Sequence, residues 1–179
     1  MLSLILLVLI TGCGGKEVKS DTKAAPAVDA PLTKPYRVIV VDDFETTAEI
    51  TKDYPNATRE CQTNTVWSLQ EKKFYQAVES GKAAASRRDG ALLVKAKVTA
   101  MRIVSGAARI WGGAFAGSSF MEIDLTLIDL ATNTTVREKK LSSANNPWAA
   151  AWAGGSSDHS LPADMGKIVA EYVHSVIPK

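Results

Sequence analysis

The sequence predicts an α/β (α+β) domain: a small mixed sheet of about four to five strands with two helices packed on one face. Three observations carry that expectation. Tyr36-Arg37-Val38-Ile39-Val40-Val41 is a β-branched run that reads as a buried strand. Two later stretches, 91–104 and 120–130, alternate apolar and polar residues, the period of a half-buried strand. Residues 57–73 and the end of the chain place apolar side chains at helical spacing. With 179 residues, 46% hydrophobic and 22% charged, the chain has near-average globular composition and room for one compact domain.

The first strand stops at Asp42-Asp43, a turn signal, and Pro55-Asn56 breaks the chain again before the first helix. That helix aligns Ala57, Cys61, Thr65 and Leu69 on one face, with Val66 beside them. Phe74 to Val78 either continues the helix or forms a short strand, because Phe74, Gln76 and Val78 alternate; Gly81 closes either version. In 91–104, Val94, Ala96, Val98 and Ala100 point to the core while Lys95, Lys97 and Thr99 point to water. In 120–130 the inward set is Met121, Ile123, Leu125 and Leu127, and the outward set Glu122, Asp124 and Thr126. Ala131-Thr132-Asn133-Thr134 is a hairpin turn into a third strand, 135–141. If these strands are neighbours, Lys95 and Lys97 face Glu122 and Asp124 across the wet side, a pairing that fixes register. The terminal helix has Pro162 in its first turn and a stripe of Met165, Ile168, Val169, Tyr172, Val173 and Val176. No internal repeat is present.

Several function classes are excluded early. A net charge of +2 leaves no nucleic-acid footprint. With two cysteines, Cys13 and Cys61, and two histidines, His159 and His174, a multi-ligand zinc site or a disulfide scaffold is nearly excluded, so no metal and no cofactor is expected. Met1 to Ile10, MLSLILLVLI, is too short for the ~20 residues that span a bilayer and has the length of a signal-peptide core. Ile10-Thr11-Gly12-Cys13 then resembles the lipobox of bacterial lipoproteins, although no Lys or Arg precedes the apolar run. The resemblance implies cleavage after residue 12, a signal peptide over 1–12, and acylation of Cys13, palmitate included. Because Gly14 rather than Asp follows, it implies delivery to the outer membrane, facing the periplasm of a Gram-negative bacterium. Residues 13–35, rich in Lys, Ala, Pro and Asp, are expected to be a flexible tether, and 36–179 a single domain. Cys61 is then a small buried hydrophobe or the partner in an intermolecular disulfide.

A second resemblance rests on Arg109-Ile110-Trp111-Gly112-Gly113-Ala114-Phe115-Ala116-Gly117-Ser118-Ser119, the alternating strand after it, the Asp129-containing turn, and the opening Val38-Ile39-Val40-Val41-Asp42-Asp43-Phe44. Together these resemble an uncharacterised bacterial lipoprotein family, the domain of unknown function numbered four-four-one-zero. The resemblance implies a small α/β domain, similar in outline to periplasmic modules of the curli secretion lipoprotein and the Tol-system propeller protein. It implies no activity.

The glycine segment lacks both Gly-x-Gly-x-x-Gly and Gly-Lys-Ser/Thr, so it is no phosphate loop. Trp111 and Phe115, with Arg109 nearby, are a folded-back lid or an exposed contact patch. Trp148 and Trp152, four apart after Pro147, share a face if a short helix forms there; they serve partner binding or pack back on the sheet. Ser157-Asp158-His159-Ser160 holds acid, base and nucleophile types, but triads assemble from distant parts of a fold. His174 reads as a cation favourable at a helix C-terminus. Asp42, Asp43 and Glu45 cluster at a strand end, a common ligand position, without enough oxygens for calcium. The function expected is a lipid-anchored, non-catalytic interaction or assembly module of the envelope. Its partners would be the membrane through Cys13 and an envelope protein or a second copy. A self-assembling ring or secretion component is the alternative, and a small enzyme using Asp42, Asp43 and His159 the third.

Overall fold

The computed structural model describes residues 29–81, 88–104, 119–144 and 160–179. Six strands form one mixed sheet: β1 (Val38–Val41), β2 (Glu45–Thr46), β3 (Ala77–Ser80), β4 (Ala91–Arg102), β5 (Phe120–Asp129) and β6 (Thr134–Ser142). Three helices accompany them: α1 (Ala48–Asp53), α2 (Ala57–Glu71) and α3 (Leu161–Val176). The strand order is β3-β1-β4-β5-β6, with β2 pairing to β4 off that path. β1 runs parallel to both β3 and β4, whereas β4, β5 and β6 form an antiparallel meander. The α/β class stands. The sequence reading lacked β2 and α1, which are too short for a periodic signal; α1 is set by Thr47, whose hydroxyl accepts the Ile50 N–H at 3.3 Å.

Helices α2 and α3 lie side by side on one face of the sheet, over Ile39, Val41, Leu92, Val94, Ile123, Leu125 and Leu127. The stripe expected on α2 is buried in full at Ala57, Cys61, Thr65 and Leu69, as is that of α3 at Met165, Ile168, Val169, Tyr172, Val173 and Val176. Phe74–Val78 resolves as chain entering β3, and Gly81 follows it at φ +93°, a left-handed conformation natural to glycine. Ala100 does not point inward as expected. β4 carries one extra residue between Val98 and Ala100, so the alternation shifts and Met101 packs on the core instead.

The two helices approach closely because Gly166 has no side chain. A Cβ there would stand 2.4 Å from the Cys61 carbonyl oxygen, 2.9 Å from Asn64 Cβ and 3.0 Å from the Thr65 nitrogen. Thr65 Oγ1 sits between the helices, 2.9 Å from the Cys61 oxygen and 3.1 Å from the Gly166 oxygen, with its one proton shared between them. Cys61 is fully enclosed at this seam, and burial pushes its thiol far above the usual range. It is a small core residue with no access to a partner thiol.

Asp129 ties three parts of the chain at the β5–β6 hairpin. Its carboxylate bonds Lys34, accepts the Tyr36 hydroxyl at 3.2 Å and accepts the Ala131 N–H at 2.9 Å. Asn133 closes the turn at φ +55°, a conformation Asn tolerates. The segment before β1 packs on the body: the Leu32 N–H donates to the Val176 oxygen at 2.7 Å and Leu32 is buried. Asp29 receives the Tyr172 hydroxyl at 2.8 Å and the Lys139 ammonium at 2.7 Å. Residues 29–35, which composition assigns to the tether, therefore contact α3 and β6.

Replacing Gly166 with Ala forces the helices apart or strains their backbones, an overpacking cost of roughly 1–3 kcal/mol. The urea midpoint of Gly166→Ala should fall accordingly, with an unchanged slope; an unaltered midpoint would contradict the close contact.

Candidate functional site

The most structured feature at the sheet's rim is a bulge between β1 and β2. Val41 pairs with Val94 and Glu45 with Lys97, so four steps along β1–β2 match three along β4. The extra residue falls within Asp42–Phe44 and turns the two aspartates in different directions. Asp42 is buried: its N–H donates to the Val94 oxygen at 3.0 Å, its Oδ1 accepts the Asp43 N–H at 2.9 Å, and its Oδ2 lies 3.9 Å from Lys95 Nζ. Asp43 is exposed and accepts Gln62 Nε2 at 3.3 Å. The cluster thus divides into a structural carboxylate and an available one.

Asp43 borders two concavities. One, of about 460 Å³, lies between α2 and the carboxyl ends of β1 and β3, lined by Gln62, Thr63, Val66, Trp67, Gln70, Ser80 and Gly81 as well as Asp43. Trp67 is 51% exposed within it, the one large hydrophobic side chain so exposed among the described residues. The other, of about 320 Å³, opens on the sheet face away from the helices and includes Glu45, Lys95, Lys97, Asp124 and Thr126. There the register sets Glu45, Lys97, Asp124 and Lys140 in one row across four strands, alternating in sign. Lys97 stands opposite Asp124 as expected, but Lys95 opposes Thr126 and pairs with Asp42, and Asp124 takes Lys140 at 3.5 Å. Exposed pairs of this kind contribute little stability and chiefly hold register. Among the described residues no three His, Cys, Asp or Glu side chains converge as a metal site.

At the opposite end of the parallel strands, His174 meets Tyr75 and Phe74. His174 Nδ1 lies 3.0 Å from the Tyr75 hydroxyl, both rings stack edge-on against it, and Arg37 sits 4.9 Å above Phe74. Burial, together with the positive charges of Lys72 and Lys179, lowers the His174 pKa below its usual value; Glu171 opposes them. Burial here disfavours the charged imidazole that the helix end alone would favour, which runs against the reading of His174 as a helix-terminal cation.

The model of a family described as a domain of unknown function, DUF4410, matches residues 13–176. The chain belongs to the DUF4410 family. No curated protein matches this DUF4410 chain. Among solved structures it is similar to the PelC dodecamer from Paraburkholderia phytofirmans, at 14% identity and a TM-score of 0.54, over 84% of this chain and 96% of that one. A DUF330 protein from Xanthomonas campestris is 14% identical, with a TM-score of 0.46 over 83% of this chain and 86% of that one. Lipoprotein GNA1162 from Neisseria meningitidis is 13% identical, with a TM-score of 0.39 over 65% and 89% respectively. At these identities the PelC likeness is one of fold.

Cys13, Arg109, Trp111, Phe115, Trp148, Trp152 and His159 lie outside the described residues of the DUF4410 domain. Asp42 and Asp43 are described, and the structure brings to Asp43 a set the sequence reading passed over: Gln62, Thr63, Trp67 and Gln70 of α2. A signal for them existed. Trp67 stands two positions past the buried Thr65, on the polar side of α2, where a large aromatic side chain has no core to fill. No described helix is long and apolar enough to cross a membrane.

The state of His174 sets a pH dependence. Its folded-state pKa is depressed, so the unfolded chain binds the proton more readily, and the stabilisation is full above the unfolded value of about 6.5. It is lost as pH falls from there through the lower folded value. The melting temperature should drop between about pH 7 and pH 5, and His174→Gln should flatten that part of the profile. A His174 ring titrating above about 6.5 by NMR would contradict the assignment.

Proposed function

We propose that this protein is a lipid-anchored, non-catalytic assembly module of the bacterial envelope, held on the outer membrane through Cys13 and facing the periplasm, where several copies associate. The observation that carries the reading is the likeness in fold to a protein that forms a dodecamer, extending over 84% of this chain. Membership of DUF4410 from residue 13 onward agrees with a mature chain that begins at Cys13. The domain also offers what a closed ring of identical subunits needs, two unlike surfaces that can meet head to tail. One is the sheet face away from the helices, with its charge row from Glu45 to Lys140; the other is the helical side of the domain. In this reading Arg109, Trp111, Phe115, Trp148 and Trp152 make contacts with the neighbouring copy, an envelope partner or the membrane surface. Two or three acyl chains, at ~0.8 kcal/mol per buried methylene, would make the attachment effectively permanent.

Cys13→Ala should abolish metabolic labelling by palmitate and leave the leader uncleaved; labelling that persists would sink the anchor. Cross-linking in living cells, read by gel and mass analysis, should give a ladder of regular multiples of this chain. A discrete heterologous band without the ladder would replace self-assembly with a different partner, and monomer alone would remove the assembly reading.

A further inference from the structure

We propose that the groove between α2 and the β1–β3 strand ends is a binding site for a neutral pyranose saccharide, stacked on Trp67 and hydrogen-bonded by Asp43 and the amides of Gln62 and Gln70. The inference stands on the groove's chemistry and holds whether or not the chain assembles. A pyranose ring presents a patch of C–H groups on its faces and hydroxyls around its edge. It is bound where an aromatic face lies beside planar groups that both donate and accept. The groove supplies that combination. Trp67 is half exposed among the lining residues with no described core to fill, and Gln62 and Gln70 line the groove with it. Gln62 Nε2 bonds one oxygen of Asp43 at 3.3 Å, which orients the carboxylate and leaves the other oxygen to receive ligand hydroxyls. At about 460 Å³ the groove falls in the size range of small-ligand sites, roughly 300–1,000 Å³.

A protein helix or strand would suit it less well. Among the described residues Val66 is the one aliphatic side chain that lines it, whereas docking grooves for amphipathic segments present several such anchors. An anionic ligand is opposed by Asp43, and among the described residues no Lys or Arg lines the groove. The carboxyl ends of parallel strands are also where open α/β sheets hold ligands, and the β1–β2 bulge delivers Asp43 there.

The test is ligand-observed saturation-transfer NMR with the full chain in detergent. Cellotetraose and chitotetraose serve as neutral β-linked probes and an oligogalacturonate as their acidic counterpart. The neutral probes should bind with a Kd on the order of 1 mM or tighter, saturating at C–H protons of one ring face. Trp67→Ala should weaken this at least about tenfold, and Asp43→Asn should narrow the preference for neutral over acidic probes. Trp67 is exposed, so both variants should keep the parental melting temperature; Gln70→Ala, with a smaller loss, is the substitute if one does not. Absence of saturation from every probe would overturn the proposal. So would saturation that survives Trp67→Ala unchanged, which would place binding elsewhere, or self-association that Trp67→Ala abolishes while no probe binds, which would give the groove to a second copy.

Discussion

The structure depends on the distance at which α2 and α3 cross. Only a glycine at 166 lets the α3 backbone reach the Cys61 oxygen and the Thr65 nitrogen, and Thr65 answers by bridging the two helices with its hydroxyl. Setting the helices close makes a narrow layer over the sheet, in which Leu69, Met165, Val169 and Val173 are all fully buried. The same crossing encloses Cys61 and turns the polar side of α2, with Trp67 and its glutamines, outward beside the strand ends. Core and candidate site are opposite faces of one helix whose position a single glycine sets.

Much of this was legible because it is periodic. The four-residue steps Ala57, Cys61, Thr65 and Leu69, and the two-residue steps Met121, Ile123, Leu125 and Leu127, express burial directly, and each lies where its period places it. What escaped was whatever departs from a period. β2 has two residues and α1 six, too few to repeat anything. The extra residue in β4 moved Ala100 off the core and Met101 onto it, and nothing in the alternation from Val94 to Ala100 announces a register shift. The bulge between β1 and β2 is of the same kind: Asp42 and Asp43 look equivalent in sequence, and only pairing with β4 shows that one is spent on structure and the other is available.

His174 and Trp67 illustrate two further limits. A histidine in a last helical turn has a sound local reading as a cation, but Phe74, Tyr75 and Lys72, brought in by other elements, add burial and positive charge that disfavour the charged ring. Trp67 carried a readable signal, an aromatic residue on the wrong side of an amphipathic helix. It needed Asp43 and Ser80, from the far ends of two strands, before that signal became a groove. Local chemistry names the residue types, and tertiary placement gives them company.

The strap at residues 29–34 has a mechanical meaning. Any pull on the amino-terminal lead is received first by Asp29 on Lys139 and Tyr172, then by Leu32 on the end of α3, and then by Lys34 on Asp129. These contacts lie upstream of β1, so tension is divided between a helix, an edge strand and a hairpin before it can reach that interior strand. β1, held by β3 on one side and β4 on the other, sits behind that series of clips. A force applied from the amino-terminal side would thus meet side chains at the periphery before it met the hydrogen bonds of β1.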